Sequence, residues 1–224
     1  MSLITIQHLN FSYNGRHILK DLNFTVAPED FLCIVGPNGS GKTTLLKLLL
    51  GELQPSSGHI SFNTSIQQNF IGYMPQENRI DRNFPATVQE IVATGTLNRG
   101  FFQSLKAQPI VAKNLKLLKL TSLTQRNFAE LSGGQRQKVL LARALTATQK
   151  LLILDEASNN LDYSSKQSFY QLLQQLHDQQ KLTILMVTHD LDHHNLLGNK
   201  ILSLDPAHPF FGTTADYVRR LHAR

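Results

Sequence analysis

The stretch GPNGSGKT, at residues 36–43, has the residue types and the spacing of a loop that binds phosphate. Its glycines allow tight turns that point backbone N–H groups at phosphate oxygens, and the helix predicted to follow adds a favourable N-terminal partial charge. Lys42 would reach the β- and γ-phosphates of a nucleotide, and the Thr43 hydroxyl would contact Mg²⁺. A chance glycine-rich turn is the alternative, which the flanking apolar runs disfavour. The predicted nucleotide contacts are Gly36, Pro37, Asn38, Gly39, Ser40, Gly41, Lys42, Thr43 and Thr44.

Two acids follow a second apolar run, in the stretch LLILDE at residues 151–156. A buried strand there would bring Asp155 and Glu156 to its carboxyl end, where ligands bind in open α/β sheets. We expect Asp155 to hold Mg²⁺ through its water shell and Glu156 to polarise the attacking water. Two acids after a strand would by themselves suit a helix cap equally well. Beside a phosphate loop, they favour nucleotide hydrolysis.

A third apolar run, TILMV at residues 183–187, is followed by Thr188 and His189. If this run is also a buried strand, His189 emerges at the carboxyl edge of the sheet and is a candidate contact for the γ-phosphate. A surface histidine, or one satisfied by its neighbours, is the alternative. The residues by themselves leave the two interpretations about equal.

Short apolar runs that alternate with helical segments must position these residues. FLCIV at 31–35, LLIL at 151–154 and TILMV are uninterrupted, as in strands buried on both faces of a parallel sheet. Leucines before Gly51 predict one helix, and the helical spacing of residues 169, 172, 173 and 176 predicts another. The alternation predicts an α/β sheet.

Two other regions have a different pattern. LITIQHL and NFTV flank the polar turn SYNGRH, and SGHISF follows at 57–62, which predicts a small antiparallel sheet on the flank. Between about 76 and 135, loop-like NRIDRNFP, helix-compatible VQEIVATGTL and basic amphipathic VAKNLKLLKLTSL predict a mostly helical insertion. We therefore predict one domain, with a core and β subdomain at about 1–75 and 150–224 and a helical subdomain at about 76–149.

Composition and charge limit the cellular compartment and the kinds of binding partner that we expect for this chain. No apolar run approaches the about 18 residues that span a bilayer, and MSLITIQHLN lacks the regions of a secretory signal. We therefore expect a soluble protein made in the cytosol. The formal net charge is +6, but Lys and Arg are spread along the chain, so direct nucleic-acid binding is not expected. Cys33, the single cysteine, lies in an apolar run and is expected to be a buried structural thiol.

The segment LSGGQRQKVLLARAL at 131–145 places a serine and two glycines at the start of a predicted helix, a second anion-binding terminus. At this segment the chain resembles the ATP-binding cassette family, whose signature LSGGQ is intact at 131–135, and the resemblance covers essentially the whole chain. It implies an α/β P-loop NTPase (RecA-like) core with a flanking antiparallel β subdomain and an inserted α-helical subdomain.

The resemblance also implies roles for single residues. Tyr13 matches the aromatic residue that stacks on adenine, and Gln76 in YMPQ matches the Q-loop glutamine that contacts Mg²⁺ and the catalytic centre. Asp162 in NNLD matches the D-loop aspartate at the dimer interface, and His189 matches the H-loop histidine. One departure stands after the acids, where the family has Pro and Thr and this chain has Ala157 and Ser158. Alanine, unlike proline, has a backbone N–H and no ring that fixes its φ angle. We expect ATPase activity to remain.

In this family the signature caps the γ-phosphate that another subunit's phosphate loop binds. The resemblance therefore implies a head-to-tail dimer of two copies with two shared ATP sites. The signature contacts are Ser132, Gly133, Gly134 and Gln135.

A chain of this family without a fused membrane segment resembles the ATPase subunit of a multi-subunit transporter. Its implied partners are an integral membrane permease and, through it, an extracytoplasmic solute-binding protein, at the cytoplasmic face of the membrane. PQENRIDRNFPATVQEIVATG resembles subunits that serve zinc, manganese or iron importers. An iron-chelate or cobalamin-type importer, or an exporter, stays open as the alternative.

Coupling would run through Gln76 as a hinge and residues about 77–101, which would push a cytoplasmic helix of the permease, with Phe84 and Phe101 as contacts.

The rival function from another class is a soluble cassette ATPase outside transport or a nucleotide-dependent switch. The presence of Glu156 and His189 favours a hydrolysing enzyme over a switch.

We do not expect a metal site at Asp192, His193 and His194, since no further Cys or His stands at the spacing of a metal ligand. Mg²⁺ is the one functional metal expected.

Overall fold

The computed structural model describes residues 2–63, 71–76, 85–99, 108–148, 150–159, 161–188 and 197–223. The chain forms two compact units, which we call the first unit, Met1–Gln68 with Gln174–Arg224, and the second unit, Asn69–Leu173. The predicted subdomain limits near residues 76 and 149 stay a prediction. None of the described helices is long and apolar enough to cross a membrane.

Nine strands and six α-helices are present in the described residues. In chain order they are β1 Ile4–Tyr13, β2 Arg16–Val26, β3 Phe31–Val35, α1 Lys42–Leu49, β4 Ser57–Phe62, β5 Gly72–Met74, α2 Val88–Ala93, α3 Gln108–Leu117, α4 Gly133–Ala147, β6 Leu151–Asp155, α5 Tyr163–Gln180, β7 Thr183–Val187, β8 Lys200–Ser203, β9 Phe210–Thr213 and α6 Thr214–His222. Short 3₁₀ helices cover Thr94–Arg99, Thr121–Leu123 and Phe128–Glu130.

The predicted antiparallel sheet is present in the first unit, and its strand order is β2-β1-β4. Its β1–β2 turn consists of Asn14 and Gly15, with φ of 46° and 81°. Positive φ at both central residues is the conformation that suits the right-handed twist of a two-residue hairpin. The turn pairs Tyr13 with Arg16 and thereby holds Tyr13 at the hairpin tip.

The parallel strands of the first unit confirm the prediction from the apolar runs. β3 lies between β7 and β8 and pairs with both in parallel, and every residue of β3 and β7 is buried. β9 closes this edge by pairing antiparallel with β8. Cys33 is buried in β3, as expected, and its Sγ donates a hydrogen bond to the Leu197 carbonyl at 2.8 Å. Burial raises the pKa of this thiol to about 12, so it stays protonated near neutral pH.

In the second unit β5 pairs in parallel with β6, and α4 packs closely on the elements around it. A Cβ on Gly72 of β5 would come within 2.5 Å of the Ala144 carbonyl oxygen, and one on Gly95 within 2.2 Å of the Arg143 carbonyl oxygen. Both glycines therefore let a neighbouring segment approach the backbone of α4. Asn114 of α3 is buried and donates to the Thr146 hydroxyl at 3.0 Å.

The segment VQEIVATGTL, predicted to be helix-compatible, is an α-helix only in its first part. α2 begins at a capping box formed by Thr87 and Glu90 and ends at Ala93, after which a 3₁₀ helix follows. The Thr94 and Thr96 hydroxyls bond back to the carbonyls three residues earlier, at 2.7 and 2.8 Å. Such side-chain bonds compete with α-helical geometry, which explains the change.

A partly buried ion pair joins the starts of two strands in the first unit. Asp30, which precedes β3, is 5% exposed, and its Oδ2 accepts hydrogen bonds from Lys200 Nζ at 2.8 Å and from the Ala27 N–H at 2.6 Å. Its Oδ1 accepts from Asn199 at 3.4 Å. Asp30 therefore connects the N-terminal ends of β3 and β8.

Replacing Asp30 by Ala is expected to lower the free energy of unfolding by about 2 kcal/mol, because it leaves the Ala27 N–H without its acceptor and the partly exposed Lys200 ammonium without its partner. Urea unfolding followed by circular dichroism measures this change. Glu29→Ala is the matched control: its ion pair with Lys181 is exposed on both sides and should contribute less than about 1 kcal/mol. Equal losses in the two variants would contradict a stabilising role for Asp30.

Candidate nucleotide site

The phosphate loop joins β3 to α1 in the first unit, and its glycines have backbone conformations that other residues rarely adopt. Gly39 and Gly41 have φ of 80° and 96°. A Cβ on Gly41 would also lie 2.8 Å from Leu19 Cδ2 and 3.0 Å from Ile18 Cγ2. Glycine is therefore required at position 41 for two reasons: the backbone is left-handed there, and the β1–β2 hairpin leaves no space for a Cβ.

Lys42 lies inside the loop that it follows. It is 6% exposed, and its Nζ donates to the carbonyls of Gly36 at 2.8 Å and Pro37 at 3.0 Å. Its ammonium charge is thereby held among the backbone groups predicted to surround phosphate. Thr43 is exposed at the start of α1.

The N-terminus of α1 carries no neutralising side chain of its own. Gly41 is its N-cap, no side chain caps the first turn, and that turn contains no acidic residue. The partial positive charge of the helix end therefore has no acidic partner in its own first turn. Together with Lys42 it favours an anion at this position.

Tyr13 offers an aromatic face at the tip of the hairpin whose β2 strand packs against Gly41. It is 44% exposed and makes an edge-to-face contact with Phe11, with centroids 4.8 Å apart and an interplanar angle of 84°. This contact supports the ring and leaves much of its surface accessible. Such a ring can stack on a planar base.

Two of the predicted catalytic side chains meet in the second unit. Gln76 follows β5 and Glu156 follows β6, and the Gln76 Nε2 donates to the Glu156 Oε2 at 2.6 Å. Asp155, the last residue of β6, is 2% exposed. The parallel pairing of β5 with β6 explains why residues 80 positions apart in the sequence meet: both follow the carboxyl end of their strand.

Glu156 has φ of 47°, a left-handed conformation that is unusual for a residue with a Cβ. Such a conformation persists where the surroundings determine it, and it occurs often at functional sites. The backbone therefore turns sharply directly after the buried strand.

The turn after β6 is held by three residues that sequence reasoning did not single out. Gln137 of α4 donates its side-chain amide to the Ala157 carbonyl, and the Ser158 hydroxyl bonds to the Tyr170 hydroxyl at 2.8 Å. Asn159 donates its amide to Glu156 Oε2. Gln137 thus holds the turn at Ala157 by its carbonyl. An Asn three residues after a functional acid is the one sequence signal for such a turn.

The signature residues form the N-terminus of α4. Ser132 is the N-cap, its Oγ accepts from the Gln135 N–H at 3.3 Å, and Gln135 Oε1 accepts from the Ser132 N–H at 3.0 Å. A Cβ on Gly133 would meet no atom of the described residues within 4 Å. Packing within the described structure therefore does not require glycine there, whereas close approach of an outside group would.

Asp162, predicted as the D-loop aspartate, caps α5. Its Oδ1 accepts from the Ser165 N–H at 2.9 Å and from the Ser164 hydroxyl at 2.8 Å, and its Oδ2 accepts from the Ser165 hydroxyl at 2.8 Å. These hydrogen bonds, led by the one from the Ser165 backbone, lower the pKa of Asp162 to about 2. The carboxylate is ionised near neutral pH.

His189 lies outside the described residues, as do Phe84, Phe101, Asp192, His193 and His194. The structure follows β7 to Thr188, whose N–H donates to the Ile34 carbonyl at 3.1 Å. Within the ranges that the structure describes, no three His, Cys, Asp or Glu residues are grouped so that they could hold a metal ion.

Comparisons with known proteins give the same family as the motifs. A family model described as ABC transporter matches residues 19–159. The zinc uptake system ATP-binding protein ZurA of Listeria monocytogenes is 38% identical over 99% of this chain and 90% of its own length. The high-affinity zinc uptake system ATP-binding protein ZnuC of Bacillus subtilis is 34% identical over 92% of each.

A solved structure with a similar fold is also described as part of an ABC transporter. A solved chain of an ABC transporter assigned to the metal-chelate type, in an inward-facing conformation, is 32% identical with a TM-score of 0.82. The similarity covers 96% of this chain and 85% of that one. It confirms the predicted α/β fold of the P-loop NTPase class.

Gly41→Ala is expected to raise the Kd for ATP at least about tenfold, since the added Cβ would displace the loop from Ile18 and Leu19. Equilibrium binding of a fluorescent ATP analogue measures it. Gly51→Ala is the matched control, because Gly51 also has positive φ, 75°, but lies at the other end of α1. The control should lose stability and keep its affinity. Unchanged affinity in Gly41→Ala would contradict the assignment of this loop.

Proposed function

The chain belongs to the ABC transporter family, and we propose that it is the ATPase subunit of an importer for zinc or a related divalent metal ion. ATP binding and hydrolysis follow from the family itself. The observation that carries the metal assignment is the 38% identity to a zinc uptake ATP-binding protein over 99% of the chain. That coverage includes the segment at residues 75–95, whose sequence resembles that of metal-importer subunits.

The proposed reaction is attack of water on the γ-phosphorus, which breaks the bond to the β,γ-bridging oxygen and yields ADP and phosphate. Glu156 accepts the proton of the attacking water, and Gln76 orients that water. Lys42 and the loop N–H groups stabilise the negative charge on the phosphates. His189 is proposed as a further γ-phosphate contact.

Mg²⁺ is the proposed cofactor. The groups assigned to it are the Thr43 hydroxyl, the Gln76 amide oxygen and, through the water shell of the ion, the Asp155 carboxylate, all oxygen groups of the kind that Mg²⁺ prefers. Thr43 is exposed at the start of α1 in the first unit, and Asp155 is the last residue of β6 in the second unit. When bound, the ion neutralises charge on the β- and γ-phosphates.

We propose that two copies pair head to tail with ATP between them. Each chain carries one phosphate loop and one signature, so a closed dimer completes two sites. Gly133 supports this proposal, because its lack of a side chain would let the partner-bound phosphate approach the α4 N-terminus. Asp162 would lie near the dimer interface.

The permease is proposed to dock on the second unit. A groove with a cavity volume of about 640 Å³ runs along this unit, and Leu97 on its rim is 69% exposed. Exposed leucine beside polar groove walls is suited to a short amphipathic helix of the permease. The groove is lined by Thr87, Gln89, Glu90, Ala93, Thr94, Thr96, Leu97, Gln108, Val111 and Gln125.

Docking of the permease in this groove would place the chain at the cytoplasmic face of the membrane. An extracytoplasmic solute-binding protein would deliver the metal to the permease.

An iron-chelate importer is the second candidate, favoured by the 32% identity to a metal-chelate type transporter chain. Zinc-limited and iron-limited growth of a strain that lacks this chain separates the two. A non-hydrolysing switch is disfavoured, because Glu156 stands where a general base is required.

Glu156→Gln is expected to lower ATP hydrolysis at least about 100-fold, because the amide cannot accept the proton. ATP binding should stay, and the variant should dimerise with ATP. Phosphate release at increasing protein concentration, with light scattering for mass, measures both. Glu29→Gln is the matched control, since Glu29 also has a positive φ, 64°, outside any proposed role. A Glu156→Gln protein as active as the parent would contradict the mechanism.

Leu97→Glu is expected to remove most permease-stimulated hydrolysis and zinc uptake in reconstituted vesicles, since a charge replaces an exposed apolar contact. Hydrolysis by the isolated chain should be unchanged. Ala112→Glu adds the same charge on an exposed position of α3 outside the groove and should behave as the parent. Equal stimulation of the two variants would rule out this groove as the docking surface.

A further inference from the structure

Asn159 makes two hydrogen bonds to the same residue, the proposed general base. Its backbone N–H donates to the Glu156 carbonyl at 3.2 Å, which closes the turn after β6. Its side-chain Nδ2 donates to Glu156 Oε2. Asn159 therefore contacts both the backbone and the carboxylate of Glu156.

The carboxylate receives a second amide at the same oxygen. Gln76 Nε2 donates to Oε2 at 2.6 Å, so two neutral donors converge on one carboxylate oxygen. Two donors at one oxygen define the rotation of the carboxylate about its last bond. Neutral amides do so without the charge of an Arg or Lys, which would bind the carboxylate more tightly.

The two donors differ in what can move them. Gln76 belongs to the segment after β5, 80 positions away in the sequence, whereas Asn159 is on the same turn as Glu156. That turn is itself anchored, by Gln137 at the Ala157 carbonyl and by Tyr170 at Ser158. A shift of Gln76 would leave Asn159 in place.

Packing does not explain Asn159, since the residue is exposed. Its neighbours Ala157 and Ser158 are 4% and 5% exposed and fill the interior side of the turn. The strained backbone of Glu156, with φ of 47°, needs contacts that determine it, and Asn159 supplies two.

From these contacts we infer that Asn159 is a positioning residue for Glu156, which holds the carboxylate in the orientation needed to activate water. The inference rests on the proposed hydrolytic role of Glu156. The side chain required at position 159 is a neutral hydrogen-bond donor. Asp has the same shape as Asn but its charge repels the Glu156 carboxylate, and Ala has no hydrogen-bond donor in its side chain.

Asn159→Asp tests the donor at constant shape. Its kcat for ATP is expected to fall at least about tenfold, with the KM within about twofold of the parent, because the loss affects orientation and not nucleotide binding. Asn159→Ser keeps a short donor and should retain more of the kcat than Asn159→Ala. Gln175→Glu, an amide-to-acid change on an exposed face of α5, is the control for added charge and should match the parent.

A double variant separates positioning from a general structural effect. In a Glu156→Gln background, Asn159→Asp is expected to cause no further loss of residual hydrolysis, since it acts through a carboxylate that is no longer present. A full additional tenfold loss, a parent-like kcat in Asn159→Asp, or equal kcat in the Ser and Ala variants would overturn the inference.

Crystal structures of the parent and of Asn159→Asp give a readout that does not depend on hydrolysis. The Glu156 carboxylate should lie against Gln76 in the parent and be turned away in the variant. An unchanged carboxylate would overturn the inference. A parent that binds ATP but does not hydrolyse it, even with its permease, would instead contradict the proposed function and leave this structural test standing.

Discussion

Strands β3 and β7 in the first unit and β6 in the second are buried at every residue. Polar groups that act on a ligand are therefore expected at the last residue of these strands, as with Asp155, or directly after it. The phosphate loop follows β3, and Glu156 follows β6 directly. Burial that holds the strands in place thus also determines where chemistry is possible.

Two glycines show how differently the same residue type can be required. Gly41 is required by the structure itself, because its backbone is left-handed and Leu19 and Ile18 lie against it. Gly133 has open space around the position of a Cβ among the described residues. The first glycine shapes the site from within, and the second suits a surface that another molecule approaches closely.

The turn after β6 combines strain with support. Glu156 adopts a backbone conformation that costs energy, and the structure compensates with hydrogen bonds from Asn159 to its carbonyl and its carboxylate. Gln76 adds a contact from a separate segment. This arrangement connects the proposed base to a residue that follows β5, a different strand of the second unit.

Local pattern was sufficient for much of this protein. Uninterrupted apolar runs predicted β3, β6 and β7, because strands buried on both faces have no polar positions. The phosphate loop and the signature were identifiable because their chemistry depends on residue types at fixed short spacing. The change to 3₁₀ helix at Thr94 was not predicted, since it depends on single threonine hydroxyls.

The sequence by itself determined the family, the strands and the residue types available for nucleotide chemistry, since all of these depend on neighbours in the chain. Only the tertiary structure decided which side chains meet. Gln76 reaches Glu156 because β5 and β6 are paired, and Gln137 reaches Ala157 across 20 positions of sequence. Contacts of this kind depend on the packing of separate elements, for which a single sequence contains no local signal.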